Sequence, residues 1–238
     1  MKNLLKSFKE LKWYEWLMMI TMIAIAGQKM VVAFMYPETS SVPAWLSVVN
    51  FFSGVCGIIC IFFCAKASIS NFLFGVINCS LYVVYLAYSR IFGTMCMEIF
   101  VYIPVNIISW IIWSKHRDNK DPEKTLTRKM TLKQNILSLT FVIVVTLICH
   151  FILVKVNGEV PWLDSLTVSL GLVATFLSIF RFTEQYIWWI IADVIAVAMY
   201  VVHFDPVYFT KKSIYLIMAI IGIMNWRKLN KERNAENK

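Results

Sequence analysis

Eight long apolar runs, separated by short polar joints, dominate this sequence and restrict the folds open to it. A helix needs about 20 mostly apolar residues to cross the hydrocarbon core of a bilayer. Hydrophobic residues make up 59% and charged residues 16% of the 238 positions, whereas soluble domains average about 45–50% and about 25%. We therefore predict an all-α integral membrane protein. The predicted spanning helices cover residues 13–35, 44–64, 69–88, 92–113, 135–155, 162–181, 186–203 and 207–226.

The distribution of basic residues tests this division and predicts an orientation. With eight spans and the N-terminus in the cytoplasm, 18 of the 23 Lys and Arg residues fall in inner segments and four in outer ones. Basic residues are enriched in cytoplasmic loops of membrane proteins, so we expect both termini to be cytoplasmic. The net charge of +9 then reflects basic residues that face anionic lipid, and we expect no nucleic-acid partner.

The chain divides into five predicted regions. Residues 1–12 have the pattern of an amphipathic helix on the inner membrane surface, and the charged stretch 115–134 is predicted to be a cytoplasmic linker. The regions are the N-terminus with an accessory helix (1–40), a three-helix repeat (41–114), the basic loop with a linker helix (115–160), a second three-helix repeat (161–227) and a cytoplasmic tail (228–238).

The two three-helix regions resemble each other in the order of several residues. Matched positions are Trp45 with Trp162, Lys66 with Arg181, Asn78 with Asp193, Ser109 with Gly222 and Trp113 with Trp226. Because one helix separates the copies, both would insert in the same orientation. Transporters built from such parallel repeats bind substrate near the bilayer midplane, at the interface between the repeats.

The penultimate predicted helix carries the sharpest functional pattern. Tyr186, Trp189 and Asp193 lie at helical spacings i, i+3 and i+7 and share one face. The rings are suited to stack on a flat heterocycle, and the carboxylate is suited to bind sugar hydroxyls or a cationic ring. An ionisable residue inside a spanning helix is by default a candidate functional residue. The alternatives are an Asp paired with a buried polar partner and aromatic residues of the interfacial belt.

Other polar residues within predicted spans are further candidates for binding the substrate. An interhelical hydrogen bond is the alternative for each of them. They are Asn50, Asn78, Tyr82, Asn106 and Tyr215.

No recognisable catalytic pattern accompanies these residues. The three histidines have no plausible nucleophile nearby, and there is no Gly-rich phosphate loop or metal-ligand spacing. Cys56, Cys60 and Cys64 share a helix face, where packing explains them better than a metal does. We predict a protein that is not an enzyme and has no cofactor.

Four segments resemble the PnuC family of nicotinamide riboside transporters. They are Gly75 to Tyr85, Pro104 to Trp113, residues 184–200 and Gly222 to Trp226. The resemblance implies a three-plus-one-plus-three core like a doubled SWEET transporter, a homotrimer, and facilitated diffusion with phosphorylation of the substrate inside the cell. The family pattern Trp-x-x-Trp-x-x-x-Asn/Asp matches Tyr186, Trp189 and Asp193, with Tyr in place of the first Trp.

The sequence thus predicts a carrier of a nicotinamide riboside-like solute. Asp193 favours a cationic ligand such as nicotinamide riboside or thiamine if it is ionised and unpaired. The alternatives are the same fold carrying thiamine or a deoxynucleoside, ion-coupled secondary transport, and a membrane-embedded enzyme or a structural subunit of a complex.

Overall fold

A computed structural model describes residues 2–38, 42–155, 161–202 and 206–236, and within them the chain is helical without any β-strand. The predicted joints around residues 39–41, 156–160 and 203–205 lie outside the described residues. The helices are α1 (Lys2–Lys9), α2 (Trp13–Met35), α3 (Ala44–Ala65), α4 (Asn71–Tyr88), α5 (Phe92–Met97), a π-helical segment (Glu98–Tyr102), α6 (Ile103–Ser114), α7 (Leu132–Lys155), α8 (Pro161–Ile179), α9 (Gln185–Val202) and α10 (Pro206–Glu236).

Five helices of the described chain are long and apolar enough to cross a membrane. They are Trp13–Met35, Ala44–Ala65, Asn71–Tyr88, Met95–Ser114 and Leu132–Lys155. Ser165–Ile179 and Gln185–Ala198 are apolar but shorter. Within the described residues, the prediction of a helical protein with several membrane spans is confirmed. The count of eight spans and the two repeats stay predictions.

The structure divides into two compact units, residues 1–125 and 126–238. In unit 1, α2 packs on α3, α3 on α4, and α4 on α6. A π-helical turn interrupts the helix predicted at 92–113, immediately before Pro104. Proline cannot donate to the carbonyl one turn earlier and crowds it, so the hydrogen-bond ladder widens there.

The N-terminal helix α1 packs against protein in unit 1. Its Phe8 ring lies 4.9 Å from that of Phe63, and Ser7 Oγ lies 3.1 Å from Ser68 Oγ. The amphipathic pattern of residues 1–12 suggested a helix lying on the membrane surface. In the structure, Phe8 and Ser7 of α1 contact α3 and the turn that follows it, and the position on the membrane surface stays a prediction.

In unit 2, α7 packs on α8, α8 on α9, and α9 on α10. A buried cluster at the centre includes Val142, Leu170, Val173 and Leu177, closed by Phe182 and Ala192. Helix α10 continues to Glu236, well beyond the predicted span that ends at 226, because no Gly or Pro follows Gly222 to stop it.

The basic segment 115–131 is an ordered connection. Its first part forms backbone hydrogen bonds with a turn between two helices of unit 1, and its second part does so with a turn of unit 2. In unit 1, Thr125 N donates to Ala67 O (3.0 Å) and Ile69 N to Glu123 O (2.8 Å). In unit 2, Arg128 N donates to Arg181 O (2.8 Å) and Thr183 N to Arg128 O (2.9 Å).

The same local structure occurs at both turns. Ala67 and Arg181 have positive φ angles of 58° and 64°, and the next helix begins four residues later in each case. The fully buried Trp113 packs edge-on against Phe72, and the fully buried Trp226 against Tyr186. When the two turns are aligned by these features, Ala67 corresponds to Arg181. The sequence comparison had matched Lys66 with Arg181, so the two alignments differ by one residue.

Candidate functional site

Asp193 lies in the middle of α9, and its side chain is held by an ion pair from α10. The residue is only 4% exposed, and Lys212 Nζ lies 3.2 Å from Asp193 Oδ1. An isolated buried carboxylate would be strongly unfavourable, so the ammonium group stabilises its charged form. The sequence predicted a preference for cationic ligands only if Asp193 is unpaired. In the structure Asp193 is paired with Lys212.

Tyr215 extends this polar group along α10. The Nζ atoms of Lys211 and Lys212 each lie 5.6 Å from the centroid of its ring. Cations at this distance interact favourably with the ring face. Asp193, Lys212 and Tyr215, which we call the Asp193 cluster, therefore form one charged and aromatic group between α9 and α10.

Trp189 is a half-buried residue one turn before Asp193. Its six-membered ring lies over Gly171 of α8, with Cζ3 3.8 Å from the position that a Cβ at Gly171 would take. Even a Cβ at this position would make only an ordinary contact with the indole, so the ring packs on α8 without crowding. Stacking of the Trp189 ring on a planar ligand stays a prediction.

Tyr186 shares a helix face with Trp189 and Asp193 but packs differently. It is 5% exposed, and its ring meets that of Trp226 edge-on at 5.3 Å and 82°. A Cβ at Gly222 would lie 2.6 Å from Tyr186 Cζ, so the ring is pressed against the α10 backbone. Trp189 therefore contacts α8 and Tyr186 contacts α10, and the structure does not present the two rings as an open pair.

Asn78 and Asn106 lie in unit 1, in a network of short polar contacts. Ser53 Oγ donates to the main-chain oxygen of Asn78 (3.0 Å) or to its Oδ1 (2.9 Å). Asn106 Nδ2 donates to Tyr102 O (2.9 Å), and its amide lies directly against Gly75. Both side chains are half-buried, so each has protein partners and some open surface.

Asn50 and Tyr82 complete the predicted residues of unit 1. Asn50 is half-buried on α3, on the same helical face as Ser53 and Gly57, and Gly57 faces the amide of Asn78. The ring of Tyr82 stacks on Tyr85, with centroids 5.9 Å apart and planes 8° apart.

Lys212 is the residue that sequence reasoning missed. It was counted among the outer basic residues, although it lies three positions before Tyr215 on the same helix face. That spacing was the available signal. Among the described residues, no group of three or more His, Cys, Asp or Glu is arranged to hold a metal ion.

Comparison with known proteins identifies the family. Residues 47–228 match the family described as nicotinamide mononucleotide transporter. The nicotinamide riboside transporter PnuC of Neisseria mucosa is 30% identical over 203 residues, which cover 81% of this chain and 76% of that protein. The protein of the same name from Haemophilus influenzae is 29% identical over 206 residues, 86% of this chain and 88% of its own.

A solved structure agrees with these relatives. The crystal structure of the vitamin B3 transporter PnuC superposes with a TM-score of 0.68 and 28% sequence identity, covering 93% of this chain and 94% of that chain. A family match over most of the chain, supported by relatives matched over 76% and 88% of their own lengths, shows that this chain belongs to the PnuC family of membrane transporters.

Proposed function

We propose that this protein carries nicotinamide riboside, or a solute closely similar to it, across the cell membrane. The observation that carries the proposal is the face of α9, where a half-buried Trp189 lies one turn from the ion-paired Asp193. This is the face on which the sequence resembles the family's aromatic and carboxylate pattern. Support comes from the curated relatives, which are named nicotinamide riboside transporters.

In the proposed site Trp189 stacks on the heterocycle, and Asp193 binds ribose hydroxyls or faces the positively charged ring. Asp193 is already neutralised by Lys212. A cationic ligand therefore approaches a paired carboxylate and displaces the ammonium group toward Tyr215, whose ring Lys212 already approaches. We retain Tyr186, Tyr215, Asn50, Asn78, Tyr82 and Asn106 as further substrate residues to be tested.

The proposal includes the membrane arrangement predicted from the sequence. It consists of eight spanning helices, two parallel three-helix repeats, cytoplasmic termini and a homotrimer. The similar turns at Ala67 and Arg181 support the repeats, and the excess of basic residues in alternate segments supports the orientation. Transport is by facilitated diffusion, and phosphorylation inside the cell retains the substrate.

Calorimetry on the purified protein tests the substrate and the site together. Nicotinamide riboside, thiamine and a deoxynucleoside are titrated into wild-type protein and into Asp193→Ala. We expect nicotinamide riboside to bind most tightly and Asp193→Ala to lose that binding while keeping its thermal unfolding transition. If thiamine or the deoxynucleoside binds most tightly instead, the protein has the same fold but carries that other substrate. Wild-type affinity in Asp193→Ala contradicts the site.

Substitution of Lys212 tests the displacement step. Lys212→Met removes the competing cation, so we expect the affinity for nicotinamide riboside to rise about three- to tenfold, which corresponds to about 0.7–1.4 kcal/mol. Affinity for an uncharged deoxynucleoside should not rise. Lys211→Met is the matched control, since Lys211 lies equally far from the Tyr215 ring but is not the partner of Asp193. Weaker binding in Lys212→Met shows instead that Lys212 holds the substrate.

A further inference from the structure

Three arginine side chains meet near the α8–α9 turn of unit 2. Arg181 is 5% exposed and donates from Nη1 to Leu126 O (2.8 Å), and Arg233 donates from Nη1 to Thr127 O (3.0 Å). The guanidinium of Arg128 lies 5.1 Å from the centroid of the Phe182 ring. None of the three forms an ion pair with a carboxylate of the described chain.

The electrostatics of this arginine cluster are unbalanced. Burial, together with the nearby charges of Arg128 and Arg233, lowers the pKa of Arg181 to about 10. Two buried donors, Arg181 Nε and Gln185 Nε2, have no hydrogen-bond partner. Buried donors without an acceptor are rare in folded proteins and call for an explanation. An anion bound beside the cluster would offset the like charges of the three guanidiniums.

An apolar groove adjoins the arginine cluster. It has a volume of about 330 Å³ and is formed mainly by α7 and α8. Phe182 connects the two features, because its ring lines the groove and also lies beneath Arg128. Leu137, Phe141 and Phe176 on the walls are exposed, so the groove is open along the surface of α7 and α8. Its lining is Met130, Gln134, Leu137, Ser138, Phe141, Val173, Phe176, Leu177 and Phe182.

We propose that the groove and the arginine cluster together bind one anionic phospholipid, from the leaflet on the side of the basic connection. An acyl chain lies in the groove, and the phosphate group binds the guanidiniums of Arg128 and Arg233. Basic pockets at the ends of membrane helices are suited to anionic headgroups. The exposed apolar groove fits the acyl chain of such a lipid, and the neighbouring guanidiniums, which form no ion pair with the described carboxylates, fit its phosphate group. The site is separate from the Asp193 cluster and does not rest on the proposed substrate.

Native mass spectrometry of the purified protein tests this assignment. Phosphatidylglycerol and phosphatidylcholine with the same acyl chains are added to wild-type protein, to Arg128→Gln and to Arg233→Gln. We expect wild-type protein to retain more phosphatidylglycerol than phosphatidylcholine. In each variant the ratio of the two bound lipids should fall about fivefold, which is the effect of losing one basic residue that contacts anionic lipid. Arg117→Gln is the control, because Arg117 is exposed and basic but belongs to unit 1. The proposal is overturned if Arg117→Gln reduces the preference for phosphatidylglycerol as much as Arg128→Gln and Arg233→Gln do. It is also overturned if none of the three substitutions changes that preference.

A groove variant distinguishes the lipid from other occupants. Leu137→Trp fills the groove from an exposed position on α7 and should reduce retention of phosphatidylglycerol without changing the number of subunits. A change in subunit number assigns the groove to contact between copies of the chain and overturns the lipid assignment. A last experiment adds inorganic phosphate to wild-type protein with bound phosphatidylglycerol. If phosphate displaces phosphatidylglycerol completely at millimolar concentration, the cluster binds a free anion and the lipid proposal is wrong.

Discussion

The ion pair of Asp193 and Lys212 shows how one residue can change the meaning of a sequence pattern. A carboxylate inside a spanning helix needs a counter-charge because its burial is costly. The structure supplies that charge from α10, 19 positions along the chain. In the proposed site, a substrate that binds Asp193 exchanges with this cation, so we expect specificity to depend on Lys212 as well as on the carboxylate.

Gly222 provides a residue-scale prediction about the position of the Tyr186 ring. A Cβ there would lie 2.6 Å from Tyr186 Cζ, and Tyr186 is already buried against Trp226. Overpacking costs about 1–3 kcal/mol, and Gly to Ala in a helix recovers up to about 1 kcal/mol. We expect Gly222→Ala to reduce stability by about 1–2 kcal/mol in thermal unfolding in detergent.

Gly171→Ala is the matched control for this prediction. The added Cβ would make an ordinary contact of 3.8 Å with Trp189, so its stability should be unchanged or slightly raised. Tyr186→Leu in the Gly222→Ala background should restore part of the lost stability, because it removes the ring atoms that clash. If Gly222→Ala is as stable as Gly171→Ala, the Tyr186 ring does not occupy this position.

The candidate site was only partly predictable at the residue scale. Helical spacing predicted that Tyr186, Trp189 and Asp193 share one face of a helix. Spacing alone does not show which neighbouring helix each side chain meets, and here Trp189 contacts α8 while Tyr186 contacts α10. The partner of Asp193 was missed for the same reason, since it comes from another helix.

At the scale of helices and turns, hydropathy predicted most of the architecture. The predicted span 13–35 coincides with α2, and 44–64 falls one residue short of α3. Hydropathy carries no information on hydrogen bonds, so it missed the π-helical turn before Pro104 and the pairing of residues 115–131 with two turns. The packing of Phe8 on Phe63 also lay beyond it.

The helix α2 is fixed to the turn after α3 by a buried ion pair, which gives an element-scale prediction. Lys66 Nζ lies 2.7 Å from Glu15 Oε2, and the Glu15 side chain is fully buried. Breaking a buried pair by removing one partner costs about 3–5 kcal/mol, because the other charge stays buried. We expect Lys66→Met to show a loss of that order in thermal unfolding.

Removing both charges separates the ion pair from the packing around it. In Glu15→Met with Lys66→Met no uncompensated charge remains, so stability should return close to that of the wild type. Lys9→Met, an exposed basic residue of α1, is the control and should be neutral. A double variant as unstable as Lys66→Met alone would mean that side-chain packing, rather than charge, holds α2 to this turn.

At the scale of the whole molecule, the Asp193–Lys212 pair bears on how transport is driven. Because Lys212 balances the carboxylate, neither H⁺ nor Na⁺ is needed to neutralise Asp193. The proposed substrate carries one positive charge. Facilitated diffusion of such a cation responds to the membrane potential, by about 2.3 kcal/mol per 100 mV, and not to an ion gradient as such.

Uptake by purified protein in liposomes tests this mechanism. With the membrane potential clamped at zero, nicotinamide riboside should reach equal concentrations inside and outside, whether or not a pH or Na⁺ gradient is imposed. A negative interior potential should raise the internal concentration. An ATP-dependent kinase enclosed with ATP should raise it further, because the phosphorylated product no longer fits the cationic substrate's site. Accumulation above equality at zero potential, driven by a pH or Na⁺ gradient and abolished by the matching ionophore, would instead establish ion-coupled transport. In that outcome the Asp193–Lys212 pair would have to open and take up the coupling ion during each cycle, and Lys212→Met would alter the dependence on the ion.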